Sequence, residues 1–401
     1  MRGVNTTAGH PRTVERDRIA AAALSELVEP GLLEYYALVV QHGPAGALDR
    51  LLAEAPGDVA SADGEVAAAA SAHGAALRRR LRASDPYERG AHLLEKAQRV
   101  GARLLIESDT QWPHQLTDLA ALTVDDSAAA PPIALWVRGS HSLATICRKS
   151  VAIVGARAAT SYGTRSTAEL ASGLTRRGWT VVSGAAYGID GAAHRGALWA
   201  DGLTVAVLAC GVDRAYPIGH TRILERIADT GAVVSEWPPG SGPLRHRFLI
   251  RNRVIAGLAR GVVVTESARR SGSRLTARRA QELGRAVMAL PGPVTSPMSA
   301  GPHELLRDWQ ARLVTSAADV IAEVGELREI FDESESGTDP QLDAELIDRV
   351  MRAMPREASV SLLWLVGACE ASPRQLRAIL PSLVMRGLLI ERSDSFARRH
   401  E

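Results

Sequence analysis

Short apolar runs alternate with amphipathic stretches through the middle of the chain, between Ser150 and about Gly325. The runs are rich in β-branched residues and bounded by turn residues, as buried strands are. Because the stretches between them have helical spacing, the pattern predicts a doubly wound α/β domain with a parallel sheet. The predicted strands are 151–154, 180–183, 204–208, 232–235, 261–265 and 286–290, and the predicted helices include 163–177, 190–200 and 275–283.

Helical spacing also marks the N-terminal part, residues 16–82, which follows a leader of residues 1–15 that we expect to be disordered. Glycines at Gly31, Gly43 and Gly46 interrupt the spacing. Helix, glycine turn and helix are compatible with a small helix-hairpin-helix or SAM-like domain, whose backbone N–H groups can bind a phosphate. The alternative is an ordinary short helical bundle, and such bundles with glycine turns are common.

The C-terminal part begins after residues 331–341, which are acidic and aperiodic and indicate a linker. Beyond the linker, residues 342–354, 361–369 and 373–386 have helical spacing and precede a glycine and a short apolar run. Three helices followed by a strand are the plan of a winged helix, which we predict over residues 342–396.

Charge is distributed unevenly along the chain. Residues 241–285 hold eleven arginines against only Glu266 and Glu282, about +9, whereas the whole chain of 401 residues has a net charge of +2. Such asymmetry favours one face as the site for an anionic partner. Within this stretch, arginines stand beside an aromatic ring at Phe248 and beside a small glycine turn at Gly272, a mixture that suits a phosphodiester backbone with its bases.

The cysteines and the N-terminus exclude several classes of protein. Cys147, Cys210 and Cys369 are isolated, so neither a disulfide framework nor a zinc site is supported. The N-terminus lacks a signal-peptide pattern, and no apolar run reaches the roughly 18 residues that span a bilayer. We therefore expect a cytoplasmic protein that does not contact a membrane and holds no metal.

Glycines follow the first two predicted strands of the α/β domain. Gly155 and Arg157 follow the first strand, and residues 184–190 follow the second. Backbone N–H groups at such strand-to-helix turns can bind phosphate, although tight-turn geometry alone also explains the glycines. Arg157 stands where a dinucleotide fingerprint has its second glycine, and no Walker A loop is present, so the turn indicates a cationic group aimed at a phosphate.

Other polar residues have two readings each. Asp190 and His194 are spaced i, i+4 at a helix start. This spacing favours an aspartate that interacts with the helix dipole and a packed histidine over general acid–base chemistry. Glu236 and Glu266 follow strands, where they can be catalytic carboxylates or anchors for nearby arginines. Phe248 suits either core packing or stacking on a base.

Several short motifs follow one another in order along residues 100–325. They are Trp112-Pro113, residues 136–139, residues 154–157, residues 183–190 with His194, residues 209–217, Ser235-Glu236, residues 251–258, residues 271–273 with Thr276-Ala277, and Pro291-Gly292. In this order they resemble the DNA-processing protein A family (DprA, also called Smf).

The resemblance implies an extended Rossmann domain over residues 100–325 that binds single-stranded DNA, forms a homodimer and delivers the strand to the RecA recombinase in natural transformation or related recombination. It implies neither a catalytic activity nor a cofactor. The N-terminal helices and the winged helix resemble accessory domains of the family. Carried over to this sequence, the DNA-binding residues are Arg157, Ser183, Gly184, Gly188, Phe248, Arg251, Asn252, Arg253, Ser271, Gly272 and Ser273.

The chain departs from the usual family pattern at two places. Phe248-Leu249 stands where Phe-Pro is frequent, and Asp308-Trp309-Gln310 replaces a more usual small Gly-Ala pair. The second difference bears on the dimer edge or the last helix of the domain.

Two other functions compete with DNA binding. The family's sheet is similar to that of nucleoside-monophosphate phosphoribohydrolases, but residues 271–279 have neither the Pro-Gly-Gly-x-Gly-Thr turn nor the glutamate of those enzymes. The winged helix is compatible with transcription regulation, yet its recognition helix has few basic residues beyond Arg374, Arg377 and Arg386.

Overall fold

The computed structural model describes residues 11–53, 77, 79–81, 83–122, 129–269, 271–325, 340–355, 359–369, 371, 376, 379–380, 383–384, 388–392 and 395–398. The chain divides into two compact units, Met1–Val324 and Gly325–Glu401. Most of the predicted linker of residues 331–341 lies outside the described residues. Among the described residues, no helix combines the length and the apolar character needed to cross a bilayer.

A sheet of nine strands forms the centre of the first unit, in the order β1-β2-β6-β5-β4-β3-β7-β8-β9. From β6 to β9 all neighbours are parallel, which confirms the predicted α/β fold. The antiparallel strands β1 and β2 were not predicted. The strands are Ala102–Ile106, Ala134–Arg138, Ser150–Val154, Thr180–Ser183, Thr204–Val207, Ala232–Ser235, Gly261–Val264, Ala286–Ala289 and Arg312–Leu313.

Helices cover both faces of this sheet. Along β3, Val151 and Ile153 face one apolar cluster, whereas Ala152 and Val154 face the other, as the alternation of a strand requires. In chain order, the helices of the first unit, α1 to α11, are Pro11–Leu27, Leu33–Ala53, Pro86–Arg99, Leu143–Cys147, Ser161–Thr175, Ile189–Trp199, Thr221–Thr230, Arg245–Leu258, Gly272–Glu282, Ala300–Asp308 and Ala317–Val324.

The N-terminal helices pack together and against the edge of the sheet. α1 begins at Pro11, inside the predicted leader, and residues 1–10 lie outside the described residues. The backbone of α2 leaves helical geometry at Gly43, whose φ of 72° suits glycine, so the predicted glycine turn is a kink. Arg18 of α1 joins the sheet edge because it donates to the Leu104 carbonyl at 2.8 Å and pairs with Asp109 at 2.8 Å.

The second unit contains helices α12, Pro340–Ala353, and α13, Leu362–Cys369. Its antiparallel sheet has the order β10-β12-β11, formed by Val360–Ser361, Ser395–Arg398 and Leu389–Arg392. Within the predicted third helix, residues 376, 379–380 and 383–384 are helical, and the rest lies outside the described residues. Leu346, Leu365 and Leu383 meet in the apolar core of this unit.

The order of the large sheet defines one topological switch point. The chain runs outward from β3 through β4, β5 and β6, then returns to place β7 on the other side of β3. In open α/β sheets, ligands bind at this point, beyond the carboxyl ends of the strands. Val154 and Val264, the last residues of β3 and β7, are partners in register.

Candidate functional site

A cavity of about 430 Å³ lies at the switch point between β3 and β7. Its walls come from the turn after β3, the start of α6, one face of α8 and the start of α9. Of the predicted site residues, the cavity brings together Arg157, Phe248, Arg251, Asn252, Ser271, Gly272 and Ser273. Predicted site residues from three separate segments of the chain therefore line one cavity.

The N-terminus of α9 opens into this cavity. Ser271 caps the helix because its hydroxyl accepts a hydrogen bond from the Ser273 N–H at 3.4 Å. The Ser273 hydroxyl donates to Ser267 Oγ at 3.1 Å, and Asn252 Nδ2 donates to the Gly272 carbonyl at 3.2 Å. These bonds hold the turn in place while the positive end of the helix faces the cavity, an arrangement that suits an anion.

Arg251 is a buried cation at the wall of the cavity, with 4% of its surface exposed. Its Nη1 donates to the carbonyl of Gly184 at 2.7 Å and to that of Val207. A Cβ at Gly184 would overlap this guanidinium, so any larger residue there would displace the Arg251 side chain. Burial lowers the pKa of Arg251 to about 10, which still leaves the side chain charged at neutral pH.

The Phe248 ring contacts both Arg157 and the ring of Tyr216. The Arg157 guanidinium lies 5.0 Å from the centroid of the Phe248 ring, and the Tyr216 ring lies 5.4 Å from Phe248 on centroids. Arg157 is exposed and Phe248 half-buried, so both are accessible from solvent. Phe248 is thus placed for stacking rather than only for core packing. Tyr216, 40% exposed, was not among the predicted site residues.

Asp190 also lines the cavity and is buried. Burial raises the pKa of its carboxyl, against the opposing effect of Arg251. The Ala186 N–H donates to Asp190 Oδ2 at 3.4 Å, so the carboxylate holds the turn at the start of α6. The carboxyl of Asp190 therefore competes with any phosphate for the positive groups of the cavity.

His194 does not form an acid–base pair with Asp190. Its Nδ1 lies 2.8 Å from Thr204 Oγ1, and the ring is fully buried. Burial lowers the pKa of His194 to about 3, so the ring is neutral at physiological pH. These contacts support the reading of His194 as a packed histidine.

Three predicted site residues shape the walls without lining the cavity. The buried Ser183 hydroxyl donates to the Ile153 carbonyl at 2.6 Å and so joins β4 to β3. Gly184 contributes the carbonyl that Arg251 holds. Gly188 has a φ of 76° and lies against the carbonyls of Ala156 and Arg157, where a Cβ would overlap them.

Arg253 lies on another side of α8 and does not reach the cavity. Its Nη2 is 2.7 Å from Glu236 Oε1, and both side chains are almost completely buried. Positions two residues apart lie about 200° apart around a helix, so Arg251 and Arg253 point to different sides of α8. Glu236 is thus an anchor for an arginine, whereas Glu266 accepts bonds from the Thr160 N–H and hydroxyl at 2.8 and 2.6 Å.

Sequence reasoning missed the cavity residues Arg245, Leu249 and Ile255 because it did not predict α8 as a helix. With Phe248 and Asn252, these residues are spaced i, i+3, i+4, i+7 and i+10, so they share one face of α8. That spacing is typical of one face of a helix. The arginines between the apolar positions make the pattern hard to recognise in the sequence.

Acids from outside the arginine-rich stretch neutralise part of its charge. Among its described residues, six arginines lie within 2.6 to 2.9 Å of a carboxylate, and two of the acids are more than 160 residues away. The pairs are Arg247–Glu29, Arg253–Glu236, Arg274–Glu304, Arg278–Glu282, Arg279–Glu282 and Arg285–Asp118. The formal charge of residues 241–285 is therefore larger than the positive charge that remains available to a partner. Within the described ranges, no group of three His, Cys, Asp or Glu side chains is arranged to hold a metal ion.

Several known proteins are similar to this chain in sequence and in fold. The sequence model of the family described as DNA recombination-mediator protein A matches residues 103–325. A putative DNA processing protein DprA from Mycobacterium tuberculosis is 41% identical over 374 residues, 92% of this chain and 91% of that protein. Protein Smf from Escherichia coli is 44% identical over 192 residues, 47% of this chain and 50% of that protein. The X-ray structure of DNA processing protein A from Streptococcus pneumoniae aligns with a TM-score of 0.62 at 32% identity, covering 78% of this chain and 98% of that one.

Proposed function

The chain belongs to the DNA recombination-mediator protein A family, and we propose that its cavity at the switch point binds single-stranded DNA. The observation that carries the proposal is the convergence of Arg157, Arg251 and the start of α9 around the half-buried ring of Phe248. Arginines and backbone N–H groups bind phosphates, and an aromatic face stacks on an unpaired base. A single cavity thus offers both interactions.

The shape of the site favours single strands over duplex DNA. The aromatic face and the amides of α9 lie at a recessed cavity, whereas a duplex is read by elements that project into a groove. Bases of a single strand are free to leave the stack and enter the cavity, which the paired bases of a duplex are not.

Fluorescence anisotropy with a labelled 20-nucleotide strand and the matching duplex tests this proposal. We expect the strand to bind at least about tenfold more tightly, because only its bases can stack on Phe248. Arg148→Ala provides a matched control, since Arg148 is also exposed and precedes β3, at the end of that strand opposite to the cavity. Equal affinity for both forms of DNA would overturn the proposal.

Binding without turnover is the companion proposal. The turn at residues 271–279 has no carboxylate, and Glu266, which precedes the turn, already accepts hydrogen bonds from Thr160 at the start of α5. Asp190 is the carboxyl that lines the cavity, so it is the residue to test for hydrolase chemistry. Release of free base from AMP by the purified protein, abolished in Asp190→Asn, would favour the hydrolase instead.

We further propose that the bound strand is passed to the RecA recombinase and that the protein acts as a homodimer in the cytoplasm. Both proposals rest on the family. Size-exclusion chromatography with light scattering tests dimerisation, and a RecA filament assay on strands coated with single-strand binding protein tests delivery. A monomer, or unchanged RecA assembly rates, would contradict the respective proposal.

We also propose that the second unit is a winged helix and that the N-terminal helices are an accessory module. Helices α12 and α13, the helical residues of 376–384 and the hairpin β11–β12 support the winged helix, because this is its order of elements. An NMR structure of residues 331–401 tests the assignment. Binding of duplex DNA by this fragment alone would support the alternative role in transcription regulation.

A further inference from the structure

A second concave surface, the outer groove, lies between the exposed sides of α5, α6 and α7 and has a volume of about 700 Å³. Its lining shares no residue with the DNA cavity. The floor consists of small and aliphatic residues, namely Ala168, Gly173, Gly196, Leu198 and Ile223. α5 and α6 approach closely there, because a Cβ at Gly196 would overlap the backbone of Ala168.

Trp199 stands at the edge of the outer groove and is 77% exposed. The Arg176 guanidinium lies 5.6 Å from the centroid of its ring. A large aromatic side chain that remains exposed beside an apolar floor marks an interaction surface more often than a solvated one. Tryptophan and arginine are also the residues that most often dominate binding energy at protein interfaces.

Five exposed arginines surround this floor, together with one acid, Glu169. They are Arg165, Arg176, Arg195, Arg222 and Arg226. Across the described part of the chain, none of the five has a carboxylate within ion-pair distance, whereas six arginines of residues 241–285 do. The charge of the outer groove is therefore available to a partner.

Ser172 adds a polar group to the floor of the outer groove. It is 4% exposed, and its hydroxyl has no hydrogen-bond partner among the described residues. A buried hydroxyl without a partner costs free energy, which a polar group of a bound molecule would recover.

We propose that the outer groove docks an acidic amphipathic helix of a partner protein. The apolar face of such a helix would cover the floor and Trp199, and its carboxylates would meet the five arginines at the rim. α6 has eleven residues and so extends for about 16 Å, which matches about three turns of a docked helix. A nucleic-acid strand fits less well, because successive bases stack on several aromatic faces, whereas the lining of this groove has one aromatic ring, Trp199, and an aliphatic floor.

The probe is a labelled peptide of 18 residues with leucines at helical spacing on one face and glutamates elsewhere. The control is a peptide of the same composition in scrambled order, which keeps the charge but loses the apolar face. Fluorescence anisotropy at low salt should show binding of the amphipathic peptide at least about tenfold tighter than that of the scrambled one. Equal binding of the two peptides, or none, would overturn the proposal.

Variants locate the bound peptide on the protein. Trp199→Ala should weaken binding by roughly 30-fold, and Arg222→Glu with Arg226→Glu by at least about tenfold. Arg148→Glu reverses an exposed arginine elsewhere and should change affinity less than about twofold. If Trp199→Ala leaves the affinity unchanged, the peptide binds elsewhere and the assignment fails.

Two further measurements separate this site from other occupants. Arg157 belongs to the DNA cavity and not to the outer groove, so Arg157→Ala should leave peptide binding unchanged. The peptide experiment therefore tests the outer groove independently of the DNA proposal. Loss of affinity for a 20-nucleotide strand in Trp199→Ala would make the outer groove part of the DNA path instead. Conversion of a dimer to a monomer by Trp199→Ala would mean that a second copy of the chain covers the groove. Either result would contradict docking of a partner helix.

Discussion

The Arg157 guanidinium lies over the face of the Phe248 ring, with 5.0 Å between its central carbon and the ring centroid. Arg157 follows β3 and Phe248 belongs to α8, so 90 residues of chain separate them. A cation over an aromatic face is attracted by the ring quadrupole, which holds the exposed arginine near the cavity. The two side chains therefore act on a bound strand as one unit.

This coupling predicts that substitutions at Arg157 and Phe248 are not additive. Phe248→Ala should weaken binding of a single strand by roughly 5- to 150-fold, since one stacking contact contributes about 1–3 kcal/mol. Arg157→Ala should weaken it by about tenfold, and the double variant by clearly less than the product of the two effects. Anisotropy titrations of the four proteins measure this cycle. Strict additivity would mean that the arginine binds phosphate independently of the ring.

Salt dependence measures how many arginines contact phosphates. Arg157, Arg245 and Arg251 line the cavity, so the logarithm of affinity should fall against the logarithm of salt concentration with a slope of about −2, at about −0.7 per contact. Arg245→Gln should make the slope shallower by about 0.7. Titrations at four salt concentrations test this.

A slope that Arg245→Gln leaves unchanged would exclude a phosphate contact at this position. The matched control is Arg278→Gln, because Arg278 belongs to the same arginine-rich stretch but pairs with Glu282 at 2.8 Å. It should leave the slope as it is.

The sequence predicted the sheet better than the site. Strands such as Thr180–Ser183 and Ala232–Ser235 were predicted at their observed bounds, because buried parallel strands are continuous β-branched runs. The antiparallel strand β2 reads Ala-Leu-Trp-Val-Arg and pairs with a strand almost 100 residues away, a contact without a local signal. Charge counts failed for a similar reason, since Glu29 and Asp118 neutralise Arg247 and Arg285 from other parts of the chain.

The buried ring of His194 predicts a pH dependence of stability. Its pKa is lowered to about 3 in the folded protein, below the ordinary value of 6.5. Protons therefore bind the unfolded chain first, so this contribution is fully present above about pH 6.5 and is lost as pH falls toward 3. Between pH 7 and pH 4.5 the free energy of unfolding should fall by about 2–3 kcal/mol from this group.

Urea unfolding of the protein and of His194→Asn at both pH values measures this effect. The variant is expected to be less stable at pH 7 because it leaves a gap beside Thr204, but its loss between the two pH values should be smaller. An identical loss in both proteins would show that other groups account for the pH dependence.

Removal of the second unit tests whether the first unit, Met1–Val324, folds and binds DNA without it. Because residues 1–324 form a compact unit with their own apolar clusters, truncation after Glu329 should preserve a cooperative thermal transition. Affinity for a single strand should change less than about threefold, since all cavity residues lie before that point. Calorimetry and anisotropy check the two expectations. An insoluble fragment would show that the second unit is needed for the first to fold.

Arg253 and Glu236 form a nearly dry ion pair with a 2.7 Å contact. Within the described structure, Arg253 Nε and Nη1 and Glu236 Oε2 have no hydrogen-bond partners, and burial raises the pKa of Glu236 against the effect of Arg253. Such a pair contributes little net stability, yet loss of one partner leaves a buried charge alone. Arg253→Gln should therefore lower the free energy of unfolding by about 3 kcal/mol, whereas Arg253→Met with Glu236→Leu should restore most of it. Urea unfolding measures both variants. If Arg253→Gln keeps its stability but binds DNA more weakly, Arg253 is instead a direct phosphate contact.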